Sequence, residues 1–263
     1  MIKYFIVADV HSYYKEMMSA LDKAGFDINN PTHIFVSLGD LMDRGPETYH
    51  CLQFVNSIPG NRKILIRGNH EDLIEECLDR RYFTSYDYSN GTAQSVMDIG
   101  NAPFVDNADD VFNLAYTDRE WLKYKDSLVN YYEDKKNIFV HGWIPCDSND
   151  PNKYHTNYVK YWYDPGWRTG NWEYARWING MEAWWQGVKE PGKTIYCGHW
   201  HCSWGWSHIK EIGTEFNKSK WAEEKTAHFE PFIEEGIVAL DACTAYSEKV
   251  NCVVVEYEEG DDI

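Results

Sequence analysis

Polar side chains follow short apolar runs at several places along the chain, each where a predicted strand ends. In residues 37–47, SLGDLMDRGPE, an apolar run ends at Gly39 and is followed by the carboxylates Asp40 and Asp43 and by Arg44. A simple polar turn would need neither the two acids nor the cation. Other runs end in side chains that can also bind metals: Asp9, His11, Asn69, His141, His199 and His201.

The chemistry that these side chains share with Asp40 is metal coordination. Carboxylate oxygens, imidazole nitrogens and one amide oxygen, without a thiolate, suit borderline divalent ions such as Mn²⁺, Fe²⁺ or Zn²⁺. A carboxylate can bridge two ions, and the set holds enough ligands for two. Two ions about 3.5–4 Å apart stabilise both ends of an in-line phosphoryl displacement and lower the pKa of a bridging water. The sequence therefore predicts a dinuclear metal site for phosphoryl chemistry.

Residues beside the predicted ligands are expected to take part in the same phosphoryl chemistry. His70 directly follows Asn69, so we expect it to protonate a leaving oxygen rather than share the coordination geometry of its neighbour. Asp43 is expected to orient His70 and to stabilise its imidazolium form. Arg44 and Arg67 each lie within a few residues of a ligand, and guanidinium groups match the spread charge of a phosphoryl group.

The elements that must position these residues alternate between strands and helices. Runs of β-branched and aromatic residues precede the polar tips, and helix-like stretches at 13–24, 47–58 and 71–81 follow the first of them. This spacing predicts β-α-β units with mixed or parallel pairing, and thus an α/β fold. Functional groups gather beyond the carboxyl ends of the strands in open α/β sheets. We therefore expect the polar tips to converge on one edge.

Two segments depart from this pattern. Residues 82–116 are polar and irregular, whereas 143–192 are rich in Trp and Tyr, with one helix predicted at 172–186. Both are interpreted as excursions that return to the core. We accordingly expect residues 1–263 to form a single domain, in which 82–135 and 143–192 are insertions or cap segments.

The composition restricts the class of protein. Hydrophobic residues make up 43% of the chain, and no run approaches the ~18 apolar residues of a membrane span. The apolar N-terminal stretch is too short for a signal peptide, so a cytoplasmic protein is expected. Seven scattered cysteines without a C-x-x-C pair are typical of reduced thiols. The 25 basic and 42 acidic residues give a net charge of −17, which disfavours nucleic-acid binding; an anionic substrate would need a local positive centre such as a metal.

Five motifs in this order resemble those of the metallophosphoesterase, or calcineurin-like, superfamily: ADVHS, GDLMDRGPE, RGNHE, HGW and GHWH. They span residues 8–201. The pair GDLMDRG and RGNHE is most similar to the phosphoprotein phosphatase type, which includes bacterial and bacteriophage Ser/Thr phosphatases and symmetrical dinucleoside tetraphosphatases. The resemblance implies a two-sheet β-sandwich flanked by helices, with a dinuclear metal site at the carboxyl-terminal edge of the strands.

The resemblance also implies a role for each motif residue. The implied ligands are Asp9 and His11 for one ion, Asp40 as the bridge, and Asn69, His141 and His199 for the other. GHWH departs from the phosphoprotein phosphatase pattern and adds His201 as a further ligand of the first ion. His70 and Asp43 would form the acid dyad, and Arg44 and Arg67 would bind phosphate. Mn²⁺ is the first choice for both ions, with Fe, Zn, Ni or Co as alternatives.

Some positions depart from the family pattern or add to it. Trp143 stands where the family commonly has a small residue, so we expect it to crowd or line the site. A third phosphate-binding arginine is typical, and Arg168 and Arg176 are both candidates. Helical spacing in the Trp-rich segment favours packing. The alternative is an aromatic wall beside the metals, to which Trp143, Trp200 and Trp204 would contribute.

The predicted function is hydrolysis of phosphomonoesters, as a Ser/Thr or dual-specificity protein phosphatase acting on a phosphorylated protein or peptide or a small phosphoester. A metal-bridging hydroxide would attack phosphorus directly, and His70 would act as general acid. No phosphoenzyme is expected, because no nucleophile has a base beside it. A dinucleoside polyphosphate hydrolase is the alternative among enzymes. The alternative of another class is a non-catalytic binding module on the same fold, against which the intact ligands and the Asp43–His70 pair argue.

Overall fold

In the computed structural model, residues 1–100, 108–149, 159–208 and 227–258 are described. The strands in these ranges are β1 (Ile2–Val7), β2 (His33–Ser37), β3 (Lys63–Ile66), β4 (Leu128–Val129), β5 (Tyr132–Glu133), β6 (Asn137–Phe139), β7 (Asp147–Ser148), β8 (Tyr161–Trp162), β9 (Thr194–Cys197), β10 (Phe232–Glu234), β11 (Ile237–Ala239) and β12 (Cys252–Tyr257). The helices are α1 (Tyr14–Ala24), α2 (Thr48–Ser57), α3 (Asn69–Arg80), α4 (Ser85–Asn90), α5 (Thr92–Ile99), α6 (Ala108–Thr117), α7 (Arg119–Lys125), α8 (Trp172–Ala175), α9 (Gly180–Trp185), α10 (Cys202–His208) and α11 (Thr244–Ser247).

The described strands form two five-stranded sheets and a two-stranded ribbon of β7 and β8. The first sheet has the order β12-β1-β2-β3-β4, in which β12 is antiparallel and the other pairs are parallel. The second has the order β10-β11-β9-β6-β5, with parallel central pairs and antiparallel edge pairs. The α/β class and the two-sheet arrangement implied by the motifs are confirmed.

The two sheets face each other across an apolar layer. Ile6 and Val36 are register partners in the first sheet, and they share a buried cluster with Tyr196 of the second. Their neighbours Phe5 and Phe35 face the other side and pack with the helices. Because both faces of these strands are covered, the strands are continuous apolar runs. Their polar residues therefore stand at the strand ends.

In the described residues of 82–116 the chain forms α4, α5 and nearly all of α6, so the prediction of an irregular segment was wrong for these residues; 101–107 lie outside the described ranges. Val96 of α5 and Phe112 of α6 are buried in the cluster on the outer face of the first sheet. At the start of α4, the Thr84 hydroxyl accepts a hydrogen bond from the Asp87 N–H at 3.3 Å. The helices were not recognised from the sequence because the segment is polar and Asn-rich and has few apolar residues. The apolar residues that it has recur at helical spacing.

The Trp-rich segment contains two short helices, α8 and α9, where one helix was predicted at 172–186. Each helix has its own N-cap: Asn171 Oδ1 accepts from Tyr174 N at 3.0 Å, and Asn179 Oδ1 accepts from Glu182 N at 3.2 Å. An Asn with extended backbone in the middle of the segment therefore starts a second helix. Both helices bury residues in the cluster on the outer face of the second sheet.

These packing relations bear on the domain organisation. The predicted insertions 82–135 and 143–192 contribute side chains to the apolar clusters that cover the two sheets. We therefore propose that both belong to one domain with the sandwich, although their residues 101–107 and 150–158 lie outside the described ranges.

All seven cysteines are free. In the described part of the chain, every helix is too short or too polar to cross a membrane.

A buried hydrogen bond joins the two sheets at the end opposite the polar tips. The Tyr257 hydroxyl, at the end of β12, donates to Asp134 Oδ2 in the turn before β6 and accepts from Asn137 Nδ2 at 2.8 Å. Burial and the Asp134 carboxylate raise the pKa of Tyr257 above its ordinary value. The raised pKa favours the protonated phenol, which is the donor in this bond.

Tyr257→Phe is expected to lower the free energy of unfolding by about 1–3 kcal/mol, because it removes one buried donor from the Asp134 carboxylate and one acceptor from Asn137 Nδ2. Urea denaturation followed by fluorescence measures the change. Tyr246→Phe is the matched control, since Tyr246 is 41% exposed, and its effect should stay within about 0.5 kcal/mol. Equal stability of the two variants would contradict a role for this bond between the sheets.

Candidate active site

The polar tips meet at one end of the sandwich. They surround a cavity of about 110 Å³ whose lining comes from the loops after β1, β2, β3, β9 and β11 and from two helical segments. Seven predicted site residues line it: His11, Asp40, Arg44, Asn69, His70, His199 and His201. Asp9, Asp43 and His141 are buried directly behind this lining.

Asp40, Asn69 and His141 bring three ligand-type atoms together. His141 Nε2 lies 2.9 Å from Asn69 Oδ1 and 3.3 Å from Asp40 Oδ1. The other ring nitrogen, Nδ1, lies 2.7 Å from the carbonyl oxygen of Leu38. Since a carbonyl only accepts, Nδ1 carries the proton, and the lone pair of the neutral ring is on Nε2. Asp40, His141 and His199 offer ligand atoms within 4.8 Å of one another.

The second oxygen of Asp40 faces two more histidines. Nε2 of His11 and Nε2 of His70 each lie 3.9 Å from Asp40 Oδ2. His11 Nδ1 donates to the Met42 carbonyl at 3.0 Å, so its Nε2 also points to the centre. His11, Asp40 and His70 form a second group whose ligand atoms lie within 4.8 Å. Asp40 thus belongs to both groups, with one oxygen toward each, so its carboxylate is placed to bridge two ions.

Two further predicted ligands, Asp9 and His201, are not members of these two groups. Both carboxylate oxygens of Asp9 accept from the backbone N–H of His199 at 3.0 Å, which joins the first motif to the last across the two sheets. His201 Nε2 lies 4.0 Å from Oδ2 of Asp241, which follows β11. That carboxylate also accepts from Cys243 N at 2.7 Å.

Burial and proximity shift the pKa values of these groups when no metal is bound. Burial lowers the pKa of His141, but the Asp40 carboxylate outweighs it and raises that pKa to about 10. Burial opposes ionisation of Asp40, yet the charges of His141 and His70 hold its pKa well below the ordinary value. Burial raises the pKa of Asp9 well above the ordinary value. A cluster of this kind is costly to bury unless cations compensate its carboxylates.

The site fits a pair of divalent ions. Its donor atoms are carboxylate oxygens, an amide oxygen and imidazole nitrogens, a set that suits borderline divalent metals. In His11 and His141, Nδ1 donates to a carbonyl, so Nε2 is the nitrogen that faces the centre. Two glycines leave the space that the ligands need. A Cβ on Gly68 would lie 2.1 Å from Asp40 Oδ1, and a Cβ on Gly198 would lie 2.1 Å from Asp9 Oδ2. The glycines of RGNHE and GHWH are therefore required by the ligands beside them.

Glu71 holds the ligand loops together without touching the cavity. Its Oε2 accepts from Asp40 N at 3.0 Å and from Gly68 N at 2.8 Å. Its Oε1 accepts from Leu41 N at 3.0 Å and from the Tyr124 hydroxyl at 2.9 Å. The fully buried carboxylate thus has four donors. Its place in RGNHE did not by itself indicate this role.

His70 and Asp43 form a buried pair beside the cavity. His70 Nδ1 lies 2.8 Å from Asp43 Oδ2, and the same oxygen accepts the Thr92 hydroxyl at 2.6 Å. Burial lowers the pKa of His70, but the carboxylates of Asp40 and Asp43 raise it above the ordinary value overall. Arg44 Nη2 lies 3.4 Å from His70 Nε2. A protonatable imidazole and a guanidinium therefore stand side by side at the cavity wall.

Backbone strain is concentrated in these loops. Ten non-glycine residues among those described have positive φ, and eight of them lie in the motifs or at the cavity: Asp9, His11, Ser12, Asp40, Asp43, Arg44, His199 and Cys243. Each left-handed residue of this kind costs about 1 kcal/mol or more. Such strain persists only where the surrounding structure determines the backbone, as in ligand and catalytic loops.

The remaining predicted arginines do not reach the cavity. Both Nη atoms of Arg67 donate to Glu75 at 2.9 Å, and Nη1 also donates to Asp72 at 3.0 Å. Arg176 donates to the same Asp72 at 2.7 Å. Arg168 binds two glutamates elsewhere on the surface. Two carboxylates of α3 hold the Arg67 guanidinium outside the cavity lining, and its contact with phosphate stays a prediction.

The aromatic residues at the cavity are not those expected from sequence proximity. Trp143 is fully buried in the cluster on the outer face of the second sheet, so the expectation that it lines the site was wrong. Trp200 and Trp204 pack against that cluster. Trp177 and Tyr86 line the cavity instead. Nothing in the local sequence distinguishes these two from the many other aromatic residues of the chain.

Comparison with known proteins places this geometry in a family. The family model for calcineurin-like phosphoesterases matches residues 2–203. The chain belongs to this family. The match includes all five motifs and confirms the superfamily inferred from them. Proteins of this family act on phosphoesters and use divalent metal ions, for which the His and Asp groups around Asp40 provide ligands.

Individual relatives cover two substrate classes. The symmetrical bis(5'-nucleosyl)-tetraphosphatase of Proteus mirabilis is 29% identical over 140 residues, which are 53% of this chain and 44% of that protein. Serine/threonine-protein phosphatase 1 of Salmonella typhimurium is 33% identical over 69 residues, 26% of this chain and 30% of that protein. An asymmetrical bis(5'-nucleosyl)-tetraphosphatase of Bacillus subtilis is 40% identical over 74 residues, with the same coverage of both chains. In each case the match spans less than half of the relative.

Glu71→Gln is expected to weaken metal binding by about 10–100-fold, because one of its four donors would face an amide N–H instead of an oxygen. The same change should lower the free energy of unfolding by about 1–3 kcal/mol. Titration calorimetry with Mn²⁺ and urea denaturation measure the two effects. Glu76→Gln, on the exposed face of the same helix, is the control. Unchanged Mn²⁺ affinity in Glu71→Gln would show that the four bonds do not position the ligands.

Proposed function

We propose that this chain is a phosphoesterase that depends on two divalent metal ions. The observation that carries the proposal is the sharing of Asp40 between two groups of ligand atoms, next to the His70–Asp43 pair and Arg44. The residues assigned to the ions are Asp9, His11, Asp40, Asn69, His141, His199 and His201. Mn²⁺ is the first metal to test.

The side chains at the cavity divide the chemistry between them. When bound, the ions would supply Lewis-acid stabilisation of the phosphoryl group and a more acidic water. Arg44 lines the cavity and binds phosphoryl oxygens. His70 donates the proton on Nε2 to the leaving oxygen, while Asp43 accepts from Nδ1 and stabilises the imidazolium form. Thr92 fixes the carboxylate of Asp43 through its hydroxyl.

The first substrate candidate is a phosphorylated Ser or Thr side chain of a protein or peptide. The cavity of about 110 Å³ is smaller than the ~300–1,000 Å³ of a typical ligand pocket, so it can enclose the phosphoryl group but not a large leaving group. The rest of the substrate would lie on the rim. Tyr86 stands there with 48% of its surface exposed, open to an extended chain.

A dinucleoside polyphosphate is the second candidate, and Trp177 is the observation that favours it. The Trp177 and His199 rings are 5.8 Å apart at an angle of 82°, which places an indole next to a predicted ligand. An aromatic ring at the rim can stack on a nucleobase. The names of the relatives from Proteus mirabilis and Bacillus subtilis are consistent with this class.

Turnover with and without metal tests the proposal. Mn²⁺-loaded protein is expected to hydrolyse p-nitrophenyl phosphate and either a phosphoserine peptide or a dinucleoside tetraphosphate, and a chelator should abolish the reaction. The higher kcat/KM identifies which of the two natural substrate classes the protein prefers. No turnover of any substrate with Mn²⁺, Zn²⁺, Ni²⁺ or Mg²⁺ would favour a binding module on this fold instead.

His70→Asn is expected to lower kcat by about 10²–10⁴-fold on the phosphoserine peptide, because the alkoxide leaving group needs a proton. The loss should be much smaller with p-nitrophenyl phosphate, whose phenolate leaves without help. Steady-state kinetics on both substrates measure the difference. His50→Asn, at an exposed position, is the control. An equal loss on both substrates would mean that His70 does not act as the acid; its place in one ligand group would then explain the defect.

A further inference from the structure

Asn90 presents a buried donor to the cavity that no part of the mechanism has used. Eight buried side-chain polar atoms have no hydrogen-bond partner among the described residues, and two of these belong to residues lining the cavity: Nδ1 of His201 and Nδ2 of Asn90. His201 is already assigned to a metal. A buried N–H without an acceptor costs free energy, so the position of Asn90 calls for a partner that the described residues do not supply.

The backbone around Asn90 is held against the GDLMDRG loop. Gly91 follows with φ +82°, and a Cβ there would lie 2.2 Å from the backbone nitrogen of Arg44. Thr92 then donates to Asp43 Oδ2 at 2.6 Å. Further along α5, Ser95 Oγ accepts from the Asp43 N–H at 3.0 Å. The corner between α4 and α5 thus contacts both Asp43 and Arg44.

The other end of α4 is attached as firmly. Asp87 Oδ2 accepts from the Thr84 N–H, the Thr84 hydroxyl and Arg80 Nη2, each at 2.6 Å. Helix α4 is therefore tied to α3 at its start and to the motif loop at its end. Asn90 is held between these attachments, so its position in the cavity lining is fixed by the fold.

The groups beside Asn90 define the partner. Arg44 and His70 line the same cavity and are adjacent to each other at 3.4 Å. Next to a guanidinium and an imidazole, an amide N–H suits an anionic oxygen. We propose that Asn90 Nδ2 donates a hydrogen bond to a phosphoryl oxygen of the substrate, which makes Asn90 a substrate-binding residue beside Arg44. This inference rests on the proposed phosphoesterase function.

Binding of inorganic phosphate to the Mn²⁺-loaded full chain tests the inference without turnover. Asn90→Ala is expected to weaken phosphate binding in titration calorimetry by about 10–100-fold, as for a lost hydrogen bond to a charged group. It should raise KM for p-nitrophenyl phosphate more than it lowers kcat. Asn90→Asp keeps the shape but adds a negative charge, so it should bind phosphate more weakly than Asn90→Ala.

Asn29→Ala, on the exposed loop before β2, makes the same substitution at a distance and should match the wild type in every measurement. Thermal denaturation shows whether each variant is folded. If Asn90→Ala is not folded, Asn90→Asp tests the inference in its place. Wild-type affinity for phosphate in both Asn90 variants would overturn the inference, as would equal losses in the two or a wild-type protein that does not bind phosphate. Absence of turnover in a wild type that binds phosphate would overturn the proposed function alone.

Discussion

The carboxylate of Asp40 is buried where the two sheets end side by side, and the rest of the site is arranged around it. One oxygen lies 3.3 Å from His141 Nε2 and also accepts the His70 N–H at 2.9 Å; the other faces the imidazoles of His11 and His70 at 3.9 Å. Only 2% of Asp40 is exposed. A charge in that position must be compensated by donors or cations, and the loops after β1, β3 and β6 supply imidazoles or an N–H to it.

Holding these loops in place requires the two-sheet architecture. The ligand-bearing backbone is left-handed at several non-glycine residues, including Asp9, His11 and Asp40, and would relax if its anchors were loose. The strands before the loops are buried on both faces, which makes them rigid supports. Glu71 then joins the second and third motifs by accepting from the backbone of both. Strain at the site is thus balanced by packing and hydrogen bonds outside it.

The helical segments between the motifs are structural parts of the site. Thr92 of α5 binds the carboxylate that orients His70, although it lies outside every motif. On the opposite side, Arg176 joins the Trp-rich segment to α3 through Asp72, next to Trp177 at the cavity rim. Both segments therefore contribute to the surroundings of the cavity, the first through Thr92 and Asp43 and the second through Trp177.

The sequence by itself determined the α/β class and the apolar strands that end in the polar tips, because these depend on local periodicity and on motif spacing. The short strands β4, β5, β7, β8 and β10 were not predicted. Tertiary structure decided which side chains share the cavity. Arg67 resembles Arg44 in type and in distance from a ligand, yet carboxylates on the following helix hold it away. Trp143 adjoins the motifs but is buried, whereas Trp177 and Asn90, far from any motif, line the cavity. Local pattern cannot encode such neighbours, since they come together only when distant segments pack on the sheets.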